Sequence, residues 1–557
     1  MADGRRAAAG RPYWLAGLSA LFLALAMRTL PLWQSPLPFN PDGIHAARLA
    51  SAALADGGFP LARMATDDLL FPPLLATVGS VLGVAPMRLG QPLSAVVGAL
   101  PGLVGLAVAR RLAVRLGWRS RRAFAAAVLA GTLLAVEGLY LHRSMPTDEQ
   151  TVGLLFVPLA VIAVARAHVT GRRAWLAAAM SLLVAVAPLH NLDGTVLALA
   201  LTVGAALAVD RGTVRDALPV LVLAGGFWLY LGGYHLLVER ATAAEIIQQT
   251  RVTDVPGLVL AWLILVAFAG ARFRAFRPRT QRLLAGGVFA VLFGVLGLNA
   301  VVTLFPGTPA TDPLLLVGLL PLSVPVAMAV VAAPRALRTP PAGPGLAALL
   351  AGPFVLIGVS LTAGMTPEYL ATAYRTSTFL HFPMLVLASL GTVAVGTRAS
   401  HMLAAGRSRR ATATRVGLAL AVVVASAASI PIAFGGLAVL NYKGVTTPAE
   451  LGASEFATDH AAGRWAGDNH IVRIQPPGGT PGSEGPAYGW LRGGAEPPGC
   501  AMALQRSWTT VGAQFYPAPP ERLSRSAYRD LLTTRDVVYR GGAGDPIAIV
   551  APTGGGC

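Results

Sequence analysis

The chain has 557 residues, of which 54% are hydrophobic and only 13% are charged, and its formal net charge is +18. Soluble globular proteins carry about a quarter of their residues as charged side chains, so this composition excludes a soluble protein and indicates that the bilayer is the main solvent. The arginines lie in short clusters between apolar segments, which is a signal of membrane topology, and a nucleic-acid partner is not expected.

The first apolar segment, Tyr13–Trp33, follows three arginines and is long enough to cross a bilayer, so we interpret it as a span and not as a cleavable signal peptide. An external loop is predicted at residues 35–90. Within it, the apolar segment 71–84 carries two prolines and is short for a crossing. We therefore expect it to form an interfacial or re-entrant helix.

With that helix kept outside, every basic loop falls in the cytoplasm, as the distribution of Lys and Arg in membrane proteins requires. The basic loops are residues 110–122, 166–173, 211–215, 272–282, 335–338 and 398–415. The pattern predicts about 13 transmembrane helices over residues 1–440, a cytoplasmic N-terminus and a multi-pass protein of the plasma membrane.

From residue 441 the composition changes to polar residues with many glycines and prolines. Thr447, Pro448 and Glu450 form the pattern of a capping box with proline at the first helical position, so a helix is predicted to begin there. Residues 536–552 read as two short strands around a glycine turn, and residues 476–498 as a loop. The predicted fold class is an all-α polytopic membrane protein with a small C-terminal α/β extracytoplasmic domain, residues 441–557.

The two cysteines of the chain, Cys500 and Cys557, both fall in this tail. They are too few for a cysteine-rich metal site or a redox motif. A disulfide in an oxidising compartment and two free thiols both remain open.

Acidic residues concentrate in the segments predicted to be external. Asp42, His45 and Arg48 in the first loop are spaced i, i+3, i+6, which places them along one face of a helix. The alternative for Asp42 is a helix N-cap that faces water. The spacing of all three residues favours a functional cluster.

A second acidic pair, Asp148 and Glu149, lies in the next predicted external loop, LHRSMPTDEQ. Its alternative is a solvated cap in front of the following span. Carboxylates that converge from separate loops bind divalent cations through oxygen ligands, and such a cation neutralises a leaving phosphate. We therefore expect Asp42, Asp148 and Glu149 to bind a divalent cation, Mg²⁺ or Mn²⁺.

Two further charges, Arg28 and Glu137, fall within or at the end of apolar segments. An isolated charge facing lipid is costly, so these side chains are expected to face the protein interior. For Glu137 the alternative is that its carboxylate reaches the membrane interface.

The first loop resembles that of the catalytic subunit of oligosaccharyltransferase, within the superfamily of multispanning C-type glycosyltransferases that use lipid-linked sugar donors. The resemblance rests on the pattern D-x-x-H-x-x-R-x-A that begins at Asp42, on G-F-P at residues 58–60, on an acid at Asp67 or Asp68 and on F-P-P at residues 71–73. The segment RSMPTDEQ then follows in the family order. The resemblance is clearest over the first 200 residues.

This resemblance implies that Asp42 binds the metal and helps to activate the acceptor, and that Asp148 and Glu149 also face the metal. Arg375, in AYRTSTFLHFP, is similar to the arginine that binds the donor phosphate in the family. Guanidinium suits that role because it binds phosphate oxygens bidentately. The alternative for Arg375 is a side chain that reaches the membrane interface beside its span.

The sequence also departs from the family pattern. The acids of the second loop are adjacent, whereas the family separates them by one residue. A long external loop of the family is replaced by FPGTPATDP, whose only acid is Asp312, and the tail has WAGDNHI at Trp465 in place of W-W-D-Y-G. These differences affect recognition of an asparagine acceptor more than donor chemistry.

The sequence predicts a glycosyltransferase that transfers a sugar or oligosaccharide from a polyprenyl-phosphate or polyprenyl-diphosphate donor to a protein or glycan acceptor on the extracytoplasmic face. Asp42, Asp148 and Glu149 are the expected catalytic acids, and Arg375, His45 and Arg48 the expected groups for the donor phosphate. A single displacement would invert the anomeric carbon. A transporter or lipid-carrier flippase and a non-catalytic scaffold that binds envelope polymers are the alternatives.

Overall fold

The computed structural model of the chain describes residues 2–61, 64–210, 213–242, 250–306, 308, 310–403, 408–493, 496–554 and 557. Parts of two predicted basic loops, residues 211–212 and 404–407, lie outside the described residues. In the described part, the helices before the tail are α1 (Ala2–Thr29), α2 (Pro41–Asp56), α3 (Phe71–Leu82), α4 (Pro86–Arg115), α5 (Ser120–Val136), α6 (Gly138–Ser144), α7 (Glu149–Thr170), α8 (Arg173–Val186), α9 (Asn191–Val209), α10 (Val214–Thr242), α11 (Pro256–Ala275), α12 (Pro278–Val301), α13 (Pro313–Leu319), α14 (Ser323–Ala336), α15 (Ala342–Ala363), α16 (Pro367–Leu403), α17 (Ser408–Ala427), α18 (Ile430–Ala433) and α19 (Gly436–Leu440).

By length and composition, 11 helical segments of the described chain can cross a membrane. The pair α5 and α6, bent by 65° at Glu137, makes a twelfth if it is one span. Helix α8, with 14 residues, is a further short apolar helix. At about 21 Å it is short of the roughly 30 Å hydrocarbon core, so the described chain has 11 or 12 candidate spans where the placement of the arginines predicted about 13.

Helix α2 forms the centre of the first loop. It begins at Pro41, where the side chain of Asn40 accepts a hydrogen bond from the backbone N–H of Asp42 at 3.3 Å, and it ends at Gly57, whose φ of +69° suits glycine. Helix α3 has 12 residues and is therefore only about 18 Å long, well short of the roughly 30 Å hydrocarbon core. Its length confirms the prediction of a helix too short to cross.

Small residues allow the helices around the site to approach one another closely, as is usual in membrane bundles. A Cβ on Gly391 of α16 would lie 1.9 Å from the carbonyl oxygen of Met328 in α14, and a Cβ on Gly98 of α4 would lie 1.8 Å from that of Ser144. The first contact holds α16, which carries Arg375, against α14, and the second holds α4 against α6. Helix α11, by contrast, buries none of its described side chains and lies at the periphery.

The tail is a separate layer of helices on a small mixed sheet. Its described elements are α20 (Pro448–His460), β1 (Trp465–Ala466), α21 (Asn469–Arg473), β2 (Gly482–Ser483), α22 (Gly485–Gly493), β3 (Met502–Gln505), α23 (Arg525–Thr534), β4 (Val537–Gly541) and β5 (Ile547–Val550). The strand order is β2-β1-β3-β5-β4, with β1 parallel to β2 and β3 and the other pairs antiparallel. The predicted fold class, a polytopic all-α protein with a small C-terminal α/β domain, is confirmed.

Local signals in the tail sequence have a mixed outcome. The capping box is present, because the Glu450 carboxylate accepts from the backbone N–H of Thr447 at 2.7 Å and the Thr447 hydroxyl accepts from that of Glu450 at 3.3 Å. The predicted hairpin is the antiparallel pair β4 and β5.

The prediction of a loop over residues 476–498 was wrong in part, because α22 forms there and packs Ala487 into the core of the domain. Cys500 and Cys557 form a disulfide.

The tail packs directly against the first loop. The backbone N–H of Asn40 donates to the carbonyl of Gly444 at 2.7 Å, and the Ser35 hydroxyl donates to that of Thr446 at 2.6 Å. Ile44 of α2 lies in the same apolar cluster as Trp465 of the tail. The first loop and the tail therefore lie on the same side of the membrane helices.

Candidate active site

A cavity of about 1030 Å³ lies between the first loop, the membrane helices and the tail. Five of the six predicted catalytic and phosphate-binding side chains line it directly: Asp42, His45, Asp148, Glu149 and Arg375. They come from α2, from the start of α7 and from α16. The structure therefore brings together segments that are more than 300 residues apart in the chain.

Asp42 lies in the first turn of α2 and is half-buried. One of its carboxylate oxygens accepts a hydrogen bond from Nη2 of Arg473, a tail residue, at 2.5 Å. Burial opposes ionisation of Asp42, but the positive charges of Arg473 and Arg375 outweigh it and lower the pKa of the carboxyl. Asp42 is therefore a carboxylate at neutral pH. The cap of α2 is Asn40, and Asp42 itself faces the cavity.

Asp148 is both the cap of α7 and a wall of the cavity. Its Oδ1 accepts from the backbone N–H of Thr151 at 3.0 Å and from the hydroxyl of the same residue at 3.2 Å. Its Oδ2 accepts from the side-chain amide of Asn40 at 3.1 Å. Burial and the negative charge of Asp42 raise the pKa of Asp148. Asp148 is thus a helix cap, but a buried one that lines the cavity and not a solvated one.

Glu149 follows Asp148 in the first turn of α7 and experiences the negative charges of Asp68, Asp148 and Asp42. Asp68 lies on the same cavity wall, with its Oδ2 3.6 Å from Nε2 of His45. This proximity to Asp68 raises the pKa of His45. Asp67 lines the cavity as well, so the first loop and the start of α7 together supply five carboxylates to it.

The two remaining predicted phosphate-binding residues have different positions. His45 lines the cavity beside Asp68. Arg48 is not among the described residues that line it, because its guanidinium donates to Glu455 at 2.8 Å and to the carbonyl of Ile474, both in the tail. The structure thus places Arg48 at the contact between loop and tail.

Several lining residues were not singled out from the sequence. The tail contributes Arg473, Tyr442 and Tyr516, and the rings of the two tyrosines meet edge to face with centroids 5.6 Å apart. The hydroxyl of Tyr442 donates to Asn40. No local pattern indicates these contacts, because the tail and the first loop are about 400 residues apart.

Two of the segments that depart from the family pattern contain an acid whose position the structure shows. Asp312, the only acid of FPGTPATDP, lines the cavity and caps α13 by accepting from the backbone N–H of Leu314 at 2.7 Å; residues 307 and 309 of that segment lie outside the described residues. Asp468 of WAGDNHI is buried, and its carboxylate accepts from the indole of Trp508 at 3.2 Å and from the backbone of Ile471 at 3.0 Å. This acid supports the tail domain and does not face the cavity.

The arrangement of acids does not fit a divalent cation. Among the described residues, no three His, Cys, Asp or Glu side chains are close enough together to hold a metal ion. Asp42 is paired with Arg473, and both oxygens of Asp148 accept hydrogen bonds from Thr151 or Asn40. Mg²⁺ and Mn²⁺ prefer oxygen-rich shells, with about six ligands around Mg²⁺. The acids predicted to be ligands share the cavity without forming such a shell.

The other half of the cavity is apolar. It is lined by side chains of α12, of α13 and α14, and of α16, among them Phe289, Phe293, Leu319, Val326, Leu380 and Met384. Helix α12 buries few of its side chains and lies at the periphery of the bundle. One cavity therefore joins a charged end beside the tail to an apolar end between membrane helices.

No family model matches the sequence, and no curated protein matches it. Among solved structures, the chain is similar to the archaeal oligosaccharyltransferase AglB from Archaeoglobus fulgidus in complex with an inhibitory peptide and a dolichol-phosphate, at 14% identity and a TM-score of 0.48. That similarity covers 81% of this chain and 58% of that one. The chain is also similar to ArnT from Cupriavidus metallidurans in the apo state, at 13% identity and a TM-score of 0.33, over 96% and 97% of the two chains.

This chain spans 58% of the length of the archaeal structure. Both similarities are too distant to assign an activity or a residue role.

Proposed function

We propose that the protein is a membrane glycosyltransferase. It transfers a sugar or oligosaccharide from a polyprenyl-phosphate or polyprenyl-diphosphate donor to a protein or glycan acceptor on the extracytoplasmic face of the plasma membrane. The observation that supports this most is the single cavity, with carboxylates and Arg375 at one end and apolar helix faces at the other. Such a cavity suits a substrate with an anionic head and a long apolar chain.

The donor would lie with its prenyl chain against α12, α14 and α16 and its phosphate near Arg375. Burial of the chain supplies hydrophobic free energy in proportion to its apolar area. The guanidinium of Arg375 offers paired N–H donors to phosphate oxygens, and it lies close enough to Asp42 to lower the pKa of that carboxyl. The anomeric carbon of the donor is thereby placed between the arginine and the acids.

The transfer is a single displacement. The acceptor's oxygen or nitrogen forms a bond to the anomeric carbon, the bond from that carbon to the phosphate oxygen breaks, and its electron pair leaves with the polyprenyl phosphate. Asp42 accepts the acceptor's proton, and Arg375 and His45 stabilise the negative charge that develops on the leaving phosphate. Attack from the side opposite the phosphate inverts the anomeric carbon.

The tail would position the acceptor. Tyr442, Tyr516 and Arg473 of the tail form the cavity wall next to Asp42, so a bound acceptor would pass between this domain and α2. Aromatic rings are common surfaces for sugars and peptides because they bury area at low entropic cost. The buried position of Asp468 gives no support to recognition of a glycosylation sequon by WAGDNHI.

The test uses protein purified in liposomes with polyprenyl-linked sugars as donors. Asp42→Ala should abolish transfer, whereas Asp56→Ala, an exposed acid at the other end of the same helix, should not. Unchanged transfer in Asp42→Ala would remove the assignment. Movement of the donor across the bilayer with no transfer product would favour a flippase, and donor binding without turnover would favour a scaffold.

A further inference from the structure

Arg473 occupies the position opposite Asp42 where the sequence led us to expect a divalent cation. It is the last residue of α21, and its Nη2 donates to Oδ1 of Asp42 at 2.5 Å. Its side chain is 40% exposed and lines the cavity together with Asp148 and Glu149. A tail residue thus brings a permanent positive charge to the acid cluster.

The tail holds α21, and with it Arg473, in place. Asp468 caps the helix by accepting from the backbone N–H of Ile471 at 3.0 Å, and its other oxygen accepts from the backbone of Gln514 at 3.1 Å. Ile471, within the helix, and Ile474, directly after it, are both buried in the tail core. Arg473 therefore projects from a packed helix and not from a free loop.

The residue after Arg473 also contacts the first loop. Arg48 of α2, which lies nearly two turns along that helix from Asp42, donates to the carbonyl of Ile474. Helices α2 and α21 are thus joined twice, by the contact of Arg473 with Asp42 and by that of Arg48 with the carbonyl of Ile474, the residue after α21. These two contacts hold α21 against α2, and they direct the guanidinium of Arg473 to the carboxylate of Asp42, which a metal would need as a ligand.

We propose that Arg473, and not a divalent cation, is the positive group that completes the acid cluster of this site. A cation bound by Asp42, Asp148 and Glu149 would have to displace this guanidinium, and like charges at such a distance repel strongly. If the proposed function holds, Arg473 and Arg375, which both line the cavity and both act on the charge of Asp42, supply two guanidiniums to the donor phosphate. Arginine suits this role because its charge does not depend on pH and its N–H groups pair with carboxylate and phosphate alike.

The first experiment measures Mn²⁺ binding to the full-length protein in detergent by electron paramagnetic resonance, with no donor or acceptor present. Wild type should show no Mn²⁺ binding that is lost when Asp42 is replaced by asparagine. Arg473→Gln should bind Mn²⁺ at least about tenfold more tightly than wild type, because a positive charge next to the acids is removed. The double variant Arg473→Gln with Asp42→Asn should lose that binding, and Arg525→Gln, an exposed tail arginine, should behave as wild type.

Each outcome decides the proposal. Wild-type Mn²⁺ binding that disappears in Asp42→Asn would overturn it, and so would an Arg473→Gln variant that elutes as a folded monodisperse protein yet gains no Mn²⁺. Arg473→Lys, which keeps the charge, provides a second variant that should remain free of Mn²⁺. Because these measurements need no substrate, their result stands whether or not the protein is a transferase.

A second experiment applies when transfer is observed. Treatment with a chelator should leave wild-type transfer unchanged, and Arg473→Gln should reduce it about 100-fold, as removal of a group that stabilises a developing negative charge does. Loss of wild-type transfer on chelation, with recovery on addition of Mn²⁺ or Mg²⁺, would contradict the proposal while leaving the transferase assignment intact.

Discussion

Arg473 and Asp42 are 431 residues apart in the chain, yet their side chains meet at 2.5 Å on the wall of the cavity. This contact joins the tail to the first loop and sets the charge of the acid cluster. The site is therefore assembled from both parts of the chain, and changes in the tail are expected to alter events at the membrane helices.

The contact of Arg48 with the tail gives the first prediction. Arg48→Ala removes hydrogen bonds to Glu455 and to the carbonyl of Ile474, so docking of the tail on the first loop should weaken by about 1–2 kcal/mol. Hydrogen exchange at the amides of α20 and α21 should accelerate roughly tenfold. The control is Arg88→Ala, an exposed arginine at the start of α4. Equal exchange in both variants would show that Arg48 has another role, such as phosphate binding.

A second prediction concerns pH. Burial raises the pKa of Asp67 from 3.8 to about 6, and a raised carboxyl pKa means that the folded protein holds this proton more tightly than the unfolded chain does. The contribution of this proton to the stability of the folded protein is present below pH 3.8 and is lost as the pH rises through about 6. The free energy of unfolding decreases by about 3 kcal/mol, because a difference of one between the folded and unfolded pKa values corresponds to about 1.36 kcal/mol.

Asp67→Asn removes this titration. In unfolding measurements in mixed detergent micelles, the variant and wild type should have similar stability at low pH, and the variant should be the more stable one above pH 6. Asp56→Asn, on an exposed acid, is the matched control. A wild type whose stability increases through this pH range relative to Asp67→Asn would contradict the raised pKa.

Glu137 provides a third prediction. Its carboxylate is fully buried at the bend between α5 and α6, accepts from the backbone N–H groups of Leu139 and Tyr140 at 3.0 and 2.9 Å, and lies 2.6 Å from Nδ1 of His381. Glu137→Ala leaves these partners without an acceptor and should lower the free energy of unfolding by about 3–5 kcal/mol. Glu137→Gln should cost less than half as much, because its amide still accepts from one N–H group. Equal losses in the two variants would mean that the hydrogen bonds are not the source of the stability.

The disulfide gives a fourth prediction. It links residues 57 positions apart, and closure of a loop of that length stabilises a domain by about 4 kcal/mol through the unfolded chain. Cys557→Ser should therefore destabilise the tail by about that amount, and reductant should destabilise wild type but not the variant. Cys557 is exposed, so the substitution leaves the core around Cys500 unchanged. A reductant effect that persists in Cys557→Ser would have to arise elsewhere.

Local patterns predicted much of the fold. The spacing of Asp42, His45 and Arg48 predicted the helix of the first loop, and the box at Thr447 predicted the start of α20. Both depend on interactions within a few residues. The arginine clusters predicted about 13 spans where the described chain has 11 or 12, because the basic loops mark where spans end, whereas α8 between two of them is short for a crossing.

The sequence could not predict the contacts between distant segments. Nothing near Arg473 indicates that it pairs with Asp42, and nothing near Arg48 indicates that it turns toward Ile474 and away from the cavity. Helix α22 was missed because its glycines and flanking prolines are typical of loops, whereas burial of Ala487 in the tail stabilises the helix. In each case tertiary packing outweighs the local preference.

The most direct measurement of the central claim is the stoichiometry of transfer by purified protein in liposomes that contain polyprenyl-linked sugars. Wild type should release free polyprenyl phosphate or diphosphate and glycosylated acceptor in equal amounts, Asp56→Asn should do the same, and Asp42→Asn should release neither. If wild type and Asp42→Asn give the same products at the same rate, or if donor is consumed with no glycosylated acceptor, the cavity is not the site of sugar transfer.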